Sequence, residues 1–93
     1  MSRKPSTQSL TQHDLAGTWV TAHGYVRQDL HADGRYEETR GFRKAAYRGT
    51  WTVSDNRIVY VDERGFSARA DVVDGEIHHA GMRLFRIQAA IAA

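Results

Sequence analysis

Four polar side chains, Gln28, Glu38, Arg40 and His79, fall on the same side of predicted strands as most of the large aromatic residues. Alternation along a strand sends every second residue to one face. On that count they share a face with Phe42, Tyr47, Trp51, Tyr60 and Phe66. The residue types suit recognition: a guanidinium pairs with a carboxylate, rings stack on a planar group, and an imidazole titrates between pH 5 and 8. Together they describe a site for a small, anionic and partly aromatic molecule, with Arg40 on its acid group.

Reaction chemistry has less support. Glu38 and His79 can act as acid and base only if the fold brings them together. His78 and His79 are adjacent, so on a strand they point apart and cannot hold one ion together. His13, His23 and His31 match no zinc spacing. There is no nucleophile elbow, phosphate loop or cofactor motif, and no cysteine for thiolate or disulfide chemistry. We therefore expect no cofactor and favour a binding protein over an enzyme. A plainer account stands beside this one. Glu38 and Arg40, two apart, neutralise each other beside Gln28, while Tyr47 and Tyr60 are core rings whose hydroxyls reach water.

These side chains need a scaffold, and turn chemistry supplies its outline. Asp33-Gly34, Asp55-Asn56 and Asp74-Gly75 punctuate short alternating runs without a helical period, the signature of an antiparallel meander. A two-residue turn at Asp74-Gly75 sets Val72 against Ile77 and Asp71 against His78. The same rule at Asp55-Asn56 pairs Val53 with Ile58 and Trp51 with Tyr60, leaving Thr50, Thr52, Val59 and Val61 outside. Turns at His23-Gly24 and Ala80-Gly81 pair Trp19 with Gln28 and Ile77 with Leu84. At Asp33-Gly34 only a three-residue loop with a left-handed glycine keeps Leu30 opposite Tyr36. About eight strands with one continuous inner face close most economically as an up-and-down barrel, which removes exposed edges. The alternative is an open β-sandwich.

With 93 residues and 41% apolar content, the chain makes one small domain. The polar, period-free stretch 1–12 reads as a mobile tail, 13–88 as the barrel and 89–93 as a second tail. The formal charge is +2, and arginines alternate with apolar residues rather than forming a basic stripe. That describes a solvated face, not a nucleic-acid surface. No apolar run has membrane-spanning length and no leader is recognisable. The expected location is therefore the cytoplasm, with no membrane partner.

The segment Leu15-Ala16-Gly17-Thr18-Trp19 resembles the first-strand Gly-x-Trp of the calycin group, lipocalins and avidins. Tyr47-Arg48-Gly49-Thr50-Trp51 resembles a recurring segment of small lipocalin-like and avidin-like proteins. From Leu15 to Ile87 the chain looks like a small bacterial family with an avidin/streptavidin-like barrel. That resemblance implies a small ligand in the barrel mouth and, for avidin-like members, further assembly. In a closed meander Arg86 lies beside Trp19, giving a lipocalin-like cation–π contact. No biotin-contact set aligns residue by residue, so biotin is not implied.

Leu30, Val53, Ile58, Val72, Ile77 and Leu84 are expected to plug one end of the barrel. Small Ala68 and Ala70 leave room in the middle, and Arg43, Lys44, Arg48 and Arg64 ring the open mouth. The rival function is a non-enzymatic interaction module whose outward Thr50, Thr52, Val59 and Val61 self-associate or dock onto a partner. Removing Arg40 is expected to weaken the ligand and spare the fold if the mouth is a site. If Glu38 and Arg40 are a core pair, it is expected to destabilise the fold.

Overall fold

A computed structural model describes residues 10–87. Among them, eight strands close into one antiparallel barrel in chain order, as the turn pattern predicts, and the open sandwich is not formed. The strands are β1 Gly17–Thr21, β2 Val26–Leu30, β3 Arg35–Arg40, β4 Arg43–Ser54, β5 Arg57–Asp62, β6 Ser67–Val73, β7 Glu76–His79 and β8 Met82–Arg86. No helix among the described residues is long and apolar enough to cross a membrane.

The expected registers are present. Trp19 faces Gln28, Trp51 faces Tyr60, Val72 faces Ile77 and Ile77 faces Leu84. The loop at Ala32-Asp33-Gly34 has three residues. Leu30 pairs with Tyr36, His31 N–H donates to Arg35 O at 2.9 Å, and Gly34 has φ +92°. Closure sets Trp19 against Arg86, whose guanidinium lies 4.6 Å from the indole centroid.

One expected register fails. Phe42 does not join the inner face, because Arg40 pairs directly with Arg43 and Gly41-Phe42 becomes the turn, leaving Phe42 fully exposed. The register then shifts, so that Tyr47 still meets Glu38. Three β4 residues, Lys44, Ala45 and Ala46, oppose Thr39 alone, with Ala45 at φ +50°. A bulge of this kind bends its strand. It draws β4 around the mouth and keeps Tyr47 over the opening.

The floor holds more than the predicted plug. Val53 and Val72 are only partly buried there, beside buried Leu30, Ile58, Ile77 and Leu84. Helix α1, Gln12–Leu15, is closed by a reciprocal capping box between Thr11 and Asp14, and it buries Leu15 in the core. Gln12 Nε2 donates to Trp51 O at 2.6 Å, and Leu10 packs on the same cluster. Residues 10–12, expected in the tail, thus belong to the barrel floor. The rest of that stretch, and 88–93, lie outside the described residues.

The indole N–H of Trp19 donates to Leu15 O at 3.0 Å. Arg86 donates through Nη1 to Ala16 O and through Nη2 to Asp14 O, each at 2.7 Å. One side chain therefore satisfies the carbonyl end of α1 and stacks on the first-strand tryptophan.

Candidate functional site

Four connections stand around the end opposite α1: the loops β1–β2, β3–β4, β5–β6 and β7–β8. Between them a cavity of about 250 Å³ opens to the surface. At ~30 Å³ per molecule it has room for about eight waters, and it lies near the small end of ligand pockets. Six of the nine predicted site residues line it: Glu38, Arg40, Tyr47, Tyr60, Phe66 and His79.

The other three do not. Phe42 stands in solvent at its turn, for the reason given above. Trp51 is 1% exposed and belongs to the floor, its indole N–H donating to His31 O at 3.0 Å. Gln28 is fully buried and lies beneath the cavity as part of its support. Phe66 lines the opening yet remains 68% exposed, so it is a rim ring rather than an interior one. Tyr47 is 38% exposed, and Ala68 is open to solvent at the cavity wall.

The polar groups are connected in a definite direction. The Tyr60 hydroxyl donates to Gln28 Oε1 at 2.6 Å, and Gln28 Nε2 donates to Glu38 Oε1 at 2.8 Å. The second Glu38 oxygen accepts from Arg40 Nε at 2.7 Å. Glu38 is 4% exposed, so this pairing is what makes burial of its charge tolerable. The hydrogen bond it donates to Glu38 holds the Arg40 guanidinium above its ordinary pKa. The core-pair account of Glu38 and Arg40 therefore describes this contact, and among the described residues nothing accepts from the two terminal nitrogens of Arg40.

Rings and cations shape the entrance. Arg40 lies 5.4 Å and Arg64 5.9 Å from the Tyr47 ring centroid, and Arg64 is also 5.7 Å from that of Phe66. Tyr60 packs edge-on against Tyr36 at 5.1 Å and lies 5.4 Å from the His79 ring. His79 Nδ1 is 3.0 Å from Arg69 O. A carbonyl only accepts, so that nitrogen carries the hydrogen, and in the neutral ring Nε2 is an acceptor.

Glu38 and His79 share the cavity, but both Glu38 oxygens and His79 Nδ1 are already engaged. That arrangement is poorly suited to moving a proton between them. Among the described residues no cluster of three or more His, Cys, Asp or Glu could hold a metal ion.

Sequence reasoning missed two contributors. Asp62 builds the β5–β6 loop. Its Oδ1 accepts from Arg64 N at 2.9 Å and Phe66 N at 3.0 Å, and Gly65 follows at φ +92°. Asp-x-x-Gly between two strands was the available signal. Tyr36 was placed correctly on the inner face but not in the site. It is 5% exposed and lines the cavity, and its hydroxyl has no hydrogen-bond partner among the described residues.

Burial, followed by the charges of Asp62 and Glu38, raises the Tyr36 phenol from 10.0 to about 12. Burial pushes Tyr60 up as well. A group whose pKa rises on folding contributes stability that is complete below its unfolded value and lost as pH climbs through the folded one. Unfolding free energy should thus fall between pH 10 and about 12, with Tyr36 contributing about 2 kcal/mol of the loss. Urea melts across that range should show a smaller decline for Tyr36→Phe than for the unsubstituted protein. Equal declines would remove Tyr36 as a cause.

The outward residues are also placed. Thr50, Thr52 and Val61 are exposed on β4 and β5, and Val59 is half-buried. The Arg57–Asp71 ion pair, at 3.2 Å, borders the shallow depression that Thr52 and Val59 help to line.

A search of curated proteins finds no match. Among solved structures, the chain is similar to the solution structure of the protein Atu4866 from Agrobacterium tumefaciens. The two are 42% identical with a TM-score of 0.70, and the match covers 88% of this chain and 99% of the other. A family model described as Agrobacterium tumefaciens protein Atu4866 matches residues 12–86. That span takes in α1, all eight strands and every residue lining the cavity, and the chain belongs to this family.

Proposed function

We propose that this barrel binds a small planar molecule bearing an acid group in its mouth, using that end as avidin-like and lipocalin-like barrels use theirs, and that it does so in the cytoplasm. The observation that carries the reading is the Tyr36 hydroxyl: the residue is 5% exposed and lines the cavity, and among the described residues the hydroxyl has no hydrogen-bond partner. A buried hydroxyl left unpaired costs about 1–3 kcal/mol, so a ligand or water at this point is worth that much to the site. The terminal nitrogens of Arg40 and the exposed guanidinium of Arg64, which is paired with Asp62 at 3.7 Å, supply donors for an acid, and Tyr47 and Phe66 supply stacking faces. Net attraction is modest because Glu38 and Asp62 lie in the same lining. The acid must therefore be held by directed hydrogen bonds rather than by a general positive field.

Screening aromatic and heteroaromatic carboxylates by protein-observed NMR tests this. Binders should shift the Tyr36, Tyr60 and His79 ring signals together. Tyr36→Phe should weaken the best of them about tenfold, the loss of one hydrogen bond to a charged group. Binding that is indifferent to Tyr36→Phe would contradict the reading.

A further inference from the structure

The barrel wall is not paired along its whole height. β6 has seven residues and β7 four, and their ladder contains only Val73–Glu76, Val72–Ile77 and Asp71–His78. In an antiparallel sheet, successive residues direct their backbone groups to opposite neighbours. Val72 N–H donates to Asn56 O, on the β5 side, at 2.8 Å. The backbone groups of Ser67, Arg69, Asp71 and Val73 therefore face β7. β7 supplies partners for Asp71 and Val73, then turns away at Ala80-Gly81. The Arg69 carbonyl takes the His79 side chain instead. Among the described residues nothing pairs with Arg69 N–H or with either backbone group of Ser67, which point past the end of the hairpin.

Two hollows meet at this edge. Inside is the mouth cavity, with Ser67, Ala68 and His79 on its lining. Outside is a shallow depression of about 570 Å³ bordered by Arg69, His79, Gly81 and Met82. His79 belongs to both.

We propose that the Ser67–Arg69 edge is a docking site for an extended acidic segment of a partner protein, which adds to β6 as a short strand. An open edge binds a strand through main-chain hydrogen bonds, and alternate side chains then set specificity. The side chain beside Ala68 enters the cavity, where a methyl wall leaves room for an apolar or aromatic group. The side chain beside Arg69 lies outside. Arg57 and Arg83 are already paired with Asp71 and Glu76, whereas Arg69 has no ion-pair partner among the described residues. Charge complementarity therefore selects Asp or Glu at the outer positions. A second copy of this chain would bring another Arg69 to the same short edge, and like charges there disfavour self-pairing.

The test is selection of short random peptides against the intact protein by display, followed by amide exchange and shift mapping with the tightest peptide. Acidic residues should alternate with β-branched or aromatic ones in the selected sequences. The Ser67 and Arg69 amides should exchange fast in the free protein and become at least about tenfold slower at saturation, a change of roughly 1.4 kcal/mol. Ser67→Pro removes an edge donor without touching a β5 hydrogen bond and should abolish binding. Arg69→Glu, which leaves the backbone alone, should weaken it by at least about tenfold.

Slow exchange of both amides in the free protein would overturn the proposal. So would an empty selection, peptides mapping to the Phe42 turn or another surface, or undiminished binding by Arg69→Glu. None of these outcomes bears on the Tyr36 result, so the small-molecule reading stands or falls separately.

Discussion

Alanine in place of Gly49 is expected to destabilise the barrel by about 3 kcal/mol or more, beyond the usual range for overpacking. A Cβ at this position would lie 2.0 Å from Val61 O and 2.7 Å from Asp62 Cα. Both are backbone atoms of β5, so no rotamer change relieves the collision. The strands must part where Gly49 pairs with Asp62 and Thr50 with Val61. Gly17, in the other Gly-Thr-Trp copy, offers the control. Its φ of +144° strains any side chain, but the nearest atom to an added Cβ is Arg86 Nη1 at 3.1 Å, the end of a flexible chain. Alanine there should cost about 1–3 kcal/mol, mostly backbone strain with some loss of the Arg86 contact to α1. Urea unfolding of both variants should rank Gly49→Ala well below Gly17→Ala. A Gly49→Ala midpoint near that of the unsubstituted protein would mean that β4 and β5 approach less closely than described. Because β4 carries Tyr47 and β5 carries Tyr60, the same variant should also lose the cavity.

The contrast between those glycines marks what the sequence could convey. Hairpin registers were legible because turn residues and side-chain parity are local, and each hairpin had to agree with the next. The two Gly-Thr-Trp copies were legible as a repeat, but their different physical roles were not. One glycine permits a backbone angle and the other a close approach between strands. Phe42 was misplaced because parity assumes an unbroken ladder. The bulge over Lys44-Ala45-Ala46 uses a left-handed alanine where glycine would have given it away. Helix α1 had a signal in Thr11 and Asp14, three apart, yet four helical residues are too few for a period to register. In the site, the residue types and most positions could be read. The satisfaction of their hydrogen bonds could not, since Tyr60 and Gln28 meet across 32 positions of chain. The unpartnered state of Tyr36 likewise depends on what the closed barrel brings near it.

Removing Arg40 is expected to destabilise the protein by about 3 kcal/mol, because it strands a buried charge. The Glu38 side chain is 5% exposed, and its two oxygens are shared between Gln28 and Arg40. Arg40→Ala leaves one neutral hydrogen bond to hold a carboxylate that water reaches only through the cavity. Glu38→Gln should be milder, near 1 kcal/mol, since Arg40 is 36% exposed and can turn its guanidinium to solvent. Combining the two removes both charges and should leave a loss of only about 1 kcal/mol, about 3 kcal/mol less than the sum of the single losses, a coupling at the upper end for contacting groups. Urea melts of the three variants measure that coupling, and a value near zero would mean that the pair contributes nothing in the folded barrel. The expectation that Arg40 can be deleted without cost to the fold therefore gives way to the core-pair one. Arg40→Ala alone then confounds lost binding with lost structure. The double variant separates them: if it remains folded and holds an aromatic carboxylate as tightly as the unsubstituted protein, Arg40 has no part in recognising the acid.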